Sequence, residues 1–256
     1  MPRMVDALRL SGDEVRRIYD RRSRHYARTV GRLERRAHLR ALELARISPD
    51  DKVLEVAVGP GTTLVEILAK VDGANVVHGV DISSGMLRQA ARTAAAAGYQ
   101  NFELRQADAR QLPYPDQSFD LVYNGYMLDL MSLGDIRAVL AEFHRVLRPG
   151  GRLVFSVTHP IRWAFPDEPG PEGLSVSGSY FDRTPYVEQD DTGHAVYVEH
   201  HRTLGDRVRD VVSSGFRLVD LVEPEWPAWN TTEWGGWSPL RGGLIPGTAV
   251  FVCERD

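Results

Sequence analysis

The sequence predicts an α/β fold: a mostly parallel sheet of seven strands, helices on both faces, and a last strand that runs antiparallel. Three observations carry this expectation. The apolar run Val53 to Val58 breaks into the turn Gly59-Pro60-Gly61, and a second apolar run ends in Asp81, twenty residues after Gly61. Strand-like and helix-like patterns then alternate as far as residue 157, which calls for parallel strands joined by crossover helices. Finally, two strand-like segments close the chain after the alternation has stopped.

Each element follows in order. Residues 12 to 46 carry helical spacing through Val15, Ile18 and Tyr19, then Leu39, Leu42 and Ala45, and Ser48-Pro49-Asp50-Asp51 ends them, so two or more helices precede the sheet. Strand one spans 52–58, a helix begins near Thr62, and strand two spans 75–81. Ser83 or Ser84 caps a helix through Ala97, with Gly98 as its stop. Segments 102–106 and 119–124 are the third and fourth strands. A helix over 133–147 stops at Arg148-Pro149-Gly150-Gly151, and 152–157 is the fifth strand. Residues 158–202 are rich in Pro, Gly, aromatic and charged residues, too long for an ordinary connection, and are expected to cap the carboxyl edge of the sheet. A helix over 203–214, a strand over 216–222, an irregular insert and a last strand over 248–254 complete the chain. The reading is one domain, 1–256: an N-terminal helical cap (1–47), a core (48–157), the cap insert (158–202) and a C-terminal part (203–256) carrying a Trp-rich insert at 223–246.

Composition narrows the function. With 43% apolar residues, 256 residues can bury a substantial core, and a net charge of −4 gives no global attraction to nucleic acid or an anionic membrane. The first fifty residues hold 13 Arg against 7 Asp or Glu, but Lys52 and Lys70 are the only lysines, so Arg is a chain-wide preference and this face is read as solvated helix. Cys253 stands alone in an apolar run, which excludes an internal disulfide and a cysteine metal cluster and suits a reducing compartment. No apolar run reaches the length of a membrane span and no signal-peptide core opens the chain, so a cytoplasmic protein is expected.

The Gly-rich turn followed by Asp81 is the layout of a nucleoside-binding βαβ unit, in which the carboxylate accepts the two ribose hydroxyls. A third glycine is missing after Gly61, which disfavours a dinucleotide pyrophosphate. Four segments together, Leu54 to Gly61, Gly79 to Ser83 with Met86-Leu87, Ala107 to Ala109 with Leu112 to Pro115 and Ser118 to Asp120, and Leu147 to Gly151, resemble a class I S-adenosylmethionine-dependent methyltransferase. The branch is the small-molecule one that includes ubiquinone and menaquinone methylases, with a Rossmann-like fold. The resemblance implies S-adenosyl-L-methionine as cofactor: Glu55, Ala57, Gly59 and Gly61 around its methionine part, Asp81 on the ribose, Asp108 on the adenine amino group, the backbone of Ala109 on a ring nitrogen, and Ile82 with Met86 over the ring faces. Asn124 would lie near the methionine end. Where this chain has Ala57 the family commonly has Gly. Residues 18–26 are similar to the family's lead-in helix, and Tyr19 and Tyr26, seven apart, share a face toward cofactor or acceptor. Core packing is the competing reading for Ile82, Met86 and both tyrosines, and helix capping for Asn124.

Methyl transfer from a sulfonium needs no metal, and none is expected. Where the acceptor must lose a proton a base is required, and His159, just past strand five, is the candidate. His200 and His201 are adjacent and so point to opposite faces of an extended segment, which argues against a shared ion. Four of the five tryptophans, Trp226, Trp229, Trp234 and Trp237, fall within twelve residues, either as a satellite core or as the wall of an acceptor pocket. Tyr126, Trp163, His200 and Trp234 are the candidates for acceptor contact. The expected activity is methylation, on O, N or C, of a small apolar or aromatic molecule, with a quinone or lipid acceptor as the alternative. A cofactor-binding protein of cyclase-like or interaction role is the rival from another class.

Overall fold

The computed structural model describes residues 12–20 and 35–256; Tyr26 lies outside them. Helix α1 covers 12–20, and α2 (Arg35–Leu44) leads into β1 (Val53–Val56), α3 (Thr62–Leu68), β2 (Val77–Asp81), α4 (Ser84–Ala96), β3 (Phe102–Gln106), β4 (Phe119–Gly125), α5 (Leu133–Val146) and β5 (Leu147–Thr158). A hairpin of β6 (Tyr186–Gln189) and β7 (Ala195–Glu199) follows, then α6 (Leu204–Ser213), β8 (Phe216–Val222), the single turn α7 (Pro239–Gly242) and β9 (Thr248–Arg255).

The main sheet runs β3-β2-β1-β4-β5-β9-β8, parallel from β3 to β5, with β9 antiparallel to both β5 and β8. Alternation along β1 and β4 divides the core. Leu54, Val56 and Val122 face Ile136, Val139, Leu140 and Phe143 of α5, while Val53, Leu121 and Tyr123 face Ala41, Leu42 and Ala45 of α2 together with α3 and α4. Helices therefore cover both faces, and the strand order reverses between β1 and β4, where the carboxyl ends open a crevice.

Several helices start where their side chains supply a cap. Ser83 Oγ accepts the Met86 N–H, Ser132 caps α5 through the Asp135 N–H, and Thr203 with Asp206 forms a reciprocal capping box on α6. Two expectations about connections change. Pairing of β5 begins at Leu147, and Arg148 to Gly151 bulge opposite Asp120 rather than ending the strand region, since the register passes from Phe119↔Leu147 to Leu121↔Arg152. The inserts are also more ordered than their composition suggests. Residues 158–202 contain the β6–β7 hairpin, and Arg241 of α7 knits the two inserts together. Its buried guanidinium donates from Nη2 to the carbonyls of Pro166 (2.5 Å), Glu168 (3.1 Å) and Gly173 (2.7 Å), between the rings of Phe165 and Trp237. Among the described residues no helix is long and apolar enough to cross a membrane.

Candidate active site

The crevice at the β1–β4 reversal opens into a cleft of about 1320 Å³ when the space open to solvent at its mouth is included. Its floor is the β1–α3 turn. Val58 N–H donates to Val80 O, and Gly59 N–H donates to Asp81 Oδ2 at 2.9 Å, so the turn is tied to the end of β2. Gly59 has φ +55 with open space where a Cβ would stand. Gly61 does something else: it lies outside the cleft lining, and a Cβ there would fall 2.6 Å from Ala90 Cα, so its bareness admits α4 against the start of α3. Ala57, at the position the family commonly gives to Gly, holds φ +59, a left-handed conformation costing about 1 kcal/mol for a residue with a Cβ. Ala57→Gly is accordingly expected to leave cofactor affinity within a few-fold and to change stability by at most about +1 kcal/mol, relief of strain being partly offset by a freer unfolded chain. Chemical denaturation measures this, and a loss above 1 kcal/mol would mean that the methyl's packing outweighs the strain.

Among the described residues four carboxylates line the cleft, Glu55, Asp81, Asp108 and Asp135, and the first two are the most buried. Glu55, fully buried in β1, has an Oε2 with no hydrogen-bond partner among the described residues; burial, then the nearby Asp81, hold its carboxyl well above the usual range. Burial likewise pushes Asp81 up to about 6, against N–H bonds from Ser83 (2.8 Å) and Gly59 that favour its charged form. Acceptors held at this cost suit a ligand that brings donors or positive charge. Beyond them, Asp108 is gripped by Arg110, Nε to Oδ1 at 3.0 Å and Nη2 to Oδ2 at 2.6 Å, and Arg110 reaches on to Asp135 at 2.9 Å. The hydrogen bonds from Arg110 hold the Asp108 carboxyl below its ordinary value. Ile82, Met86 and Ala109 complete this end, while Gly12, Val15 and Tyr19 of α1 roof it. Asp20, at the end of α1, accepts from Ser83 Oγ (2.6 Å) and Gly85 N–H (2.8 Å), fastening the roof to the N-terminus of α4.

Three expected contacts are corrected. His159 does not face the cleft: Pro160 opens a short 3₁₀ turn that His159 caps, with Nδ1 accepting the Ile161 N–H and Nε2 2.6 Å from Glu223 Oε1, so both ring nitrogens are engaged inside the protein. Asn124 is wholly buried and braces β4 to β1 through Nδ2 to Val56 O at 2.9 Å. Trp163 packs on the cap, 5.6 Å from the His201 ring and 6.0 Å from Tyr186. His200 borders a smaller cavity with Val15, Tyr19 and Tyr197, beside the cleft. Tyr126 stands between the cleft and a second cavity, about 800 Å³ with its solvent-open mouth included, whose wall includes Trp226, Trp229, Trp234 and Trp237. Several cleft residues carry no mark in the sequence, among them the charged pair Arg110 and Asp135, and His38. The glycine at 125, against which His38 rests, is the one hint of that histidine.

Comparison with known proteins decides the class. A demethylmenaquinone methyltransferase of Geobacillus stearothermophilus is 33% identical over 158 residues, 60% of this chain and 67% of that one. The chain belongs to the class I S-adenosylmethionine-dependent methyltransferases. A family profile described as "Methyltransferase domain" matches residues 53–151. Aklanonic acid methyltransferase DauC of Streptomyces sp. is 31% identical over 149 residues, 58% of this methyltransferase and 63% of DauC. Among solved structures, an S-adenosylmethionine-dependent methyltransferase from Mesorhizobium loti aligns with a TM-score of 0.66 at 25% identity, over 86% of this chain and 98% of that one. The cofactor is therefore S-adenosylmethionine, and the cleft fits it: an unpartnered buried carboxylate oxygen on Glu55, a charged acceptor at the end of β2, and a bare glycine at the floor. When bound it supplies an electrophilic methyl group on a sulfonium.

Proposed function

We propose that this methyltransferase methylates a small, planar, largely apolar ring compound bound in the Trp-walled cavity and reaching the cofactor past Tyr126. In this reading Glu55 takes the cofactor's ammonium, Asp81 the ribose, and Asp108 the adenine amino group beside Ile82, Met86 and Ala109, with Tyr19 over the top. The observation that carries it is the position of Tyr126. This residue has φ +54, unusual for an aromatic side chain; its hydroxyl lies 2.6 Å from Thr248 Oγ1, and it lines both cavities. An aromatic-lined chamber next to the methyl donor favours a ring acceptor over a chain of charges. The relatives named above carry demethylmenaquinone and aklanonic acid in their names, which makes a quinone-type ring the nearest candidate. The net charge of −4 supports a small molecule over nucleic acid. The reading takes 1–256 as one cytoplasmic domain.

Incubation with labelled S-adenosylmethionine and a panel of naphthoquinols tests it, with S-adenosylhomocysteine release as the measure. Trp229 is 68% exposed at the cavity wall, so its removal spares the core. Trp229→Ala is expected to raise KM for the ring compound about tenfold, the loss of one aromatic contact, with cofactor affinity unchanged. Methylation of polar amines in preference to every quinol would overturn the acceptor class.

A further inference from the structure

Arg110 lies two residues after Asp108, past the end of β3, and both side chains line the cofactor cleft. Among the described residues every acceptor of its guanidinium is a carboxylate oxygen. Nε donates to Asp108 Oδ1 at 3.0 Å and leans toward Oδ2 at 3.1 Å, while Nη2 donates to Oδ2 at 2.6 Å, so the two groups meet as a fork. The Arg110 main-chain N–H donates to Oδ1 as well, at 2.9 Å. On its other side Nη1 donates to Asp135 Oδ1 at 2.9 Å, and Asp135 Oδ2 accepts the hydroxyl of Ser132, the cap of α5, at 2.6 Å. A chain of bonds thus runs from the start of α5 through Asp135 and Arg110 to the acid that follows β3. The roof rests on it: a Cβ at Gly12 would stand 3.4 Å from Arg110 Nη2 and 3.9 Å from Asp108 Oδ2.

The bonds around Asp108 are unequal. Each carboxylate oxygen has two lone pairs, and the fork occupies one on each. The main-chain N–H takes the second on Oδ1, so among the described residues the lone pair left to a ligand is on Oδ2. Without the fork the carboxylate would turn about a broad terminal torsion, and a ligand would have to bear the entropy of fixing it. Folding does not account for the arrangement. The Arg110 and Asp108 side chains are 40% and 33% exposed, and ion pairs so open to water contribute little to stability.

We propose that Arg110 is a positioning residue that sets this methyltransferase's preference for adenine, by fixing Asp108 so that Oδ2 is presented to the amino group of the cofactor. The inference rests on the assignment of Asp108 to adenine under the proposed function. Arg110 touches no reacting atom and acts through Asp108, whose charged form its hydrogen bonds favour. Both the planar fork and the reach to Asp135 belong to arginine. A lysine, a point charge on a flexible stem, would keep the charge and lose the geometry.

Calorimetry with two ligands tests this: S-adenosylhomocysteine, and its analogue in which hydrogen replaces the 6-amino group of the purine. Contacts to the ribose, the amino acid and the ring faces are common to both, so the ratio of their dissociation constants isolates the amino group. One charge-assisted hydrogen bond makes that ratio about tenfold or more in the wild type. Arg110→Met is expected to bring it to about threefold or less by weakening S-adenosylhomocysteine, with the analogue still binding within about twofold of its wild-type affinity, which also shows that the cleft is folded. Arg110→Lys is expected to stay close to Arg110→Met. A ratio that Arg110→Met leaves unchanged, including equal weakening of both ligands, would reduce Arg110 to a structural brace. A ratio that rises would make it a competitor of adenine, and full recovery in Arg110→Lys would assign the preference to charge alone. Each of these overturns the proposal and leaves Asp108 as the adenine acceptor, whereas a wild-type ratio near one overturns that assignment and the proposal with it.

Discussion

Asp81→Asn is expected to weaken S-adenosylmethionine binding by about 100-fold or more and, in the same protein, to raise the stability of the ligand-free chain at pH 7.5. In the proposed reading, in which Asp81 takes the ribose, the first effect follows from losing charge-assisted hydrogen bonds worth about 1.5–3 kcal/mol each. The second follows from burial, which lifts the carboxyl from 3.8 to about 6 in the folded chain. A carboxyl whose folded value exceeds its unfolded value favours folding while it is protonated. That contribution is complete below 3.8 and is lost as the pH rises through about 6. Two units correspond to about 3 kcal/mol given up by pH 7.5. Asparagine carries no charge to desolvate but has one acceptor oxygen for the N–H groups of Ser83 and Gly59, so about 1 kcal/mol of the gain is offset. Thermal melting without ligand should therefore move upward while calorimetric affinity collapses. Wild-type affinity should in turn decline below about pH 6, as Asp81 takes up its proton. A variant that melts lower than wild type at pH 7.5 would show that Asp81 is held for structure and not for its ligand.

That opposition of stability and binding explains which parts of the site were legible in the sequence. Glu55 stands in β1 just before the Gly-rich turn, Asp81 at the end of β2 and Asp108 just past the end of β3, and strand order alone carries them to one edge of a parallel sheet. Such residues can be found without coordinates because backbone topology places them. Gly61 was legible as a glycine but not in its purpose, since its close approach to Ala90 depends on how α4 lies against α3. His159 failed for a related reason. Its backbone is where open α/β sheets bind ligands, yet Pro160 begins a 3₁₀ turn and the side chain is spent capping it. His38 was hidden by the opposite circumstance: it belongs to a helix far back in the chain, and its register over β4 is set by packing of Ala41, Leu42 and Ala45 rather than by any local pattern. The β6–β7 hairpin escaped because its strands are short and partly exposed, so the period-two alternation is weak.

The second large effect lies where the core meets the cap. Asp129→Ala is expected to destabilise the protein by about 3–5 kcal/mol, the loss observed when one partner of a buried ion pair is removed. Asp129 and Arg207 are 6% and 3% exposed, and they pair directly through Oδ1 and Nη2. Asp129 Oδ2 also accepts the Thr158 N–H at 2.7 Å, and its main-chain carbonyl accepts the His200 N–H at 2.7 Å. One residue thus joins the segment after β4, the end of β5, the segment after β7 and helix α6. Burial pushes the aspartate upward and the arginine downward, each away from its charged form, so the pair is held against a desolvation penalty and the partner left behind would be worse off than either. Applying about 2–4 °C per kcal/mol for a chain of this size, the single variant should melt about 10 °C lower. Asp129→Ala combined with Arg207→Met removes both charges and should recover most of that loss, leaving the Thr158 and Leu128 backbone groups as the residual cost. Cofactor affinity measured below the melting transition should change little, because neither residue lines the cleft. If the single variant instead lies within 1 kcal/mol of wild type, the junction is solvated in solution and the cap is joined to the core mainly by the apolar contacts around it.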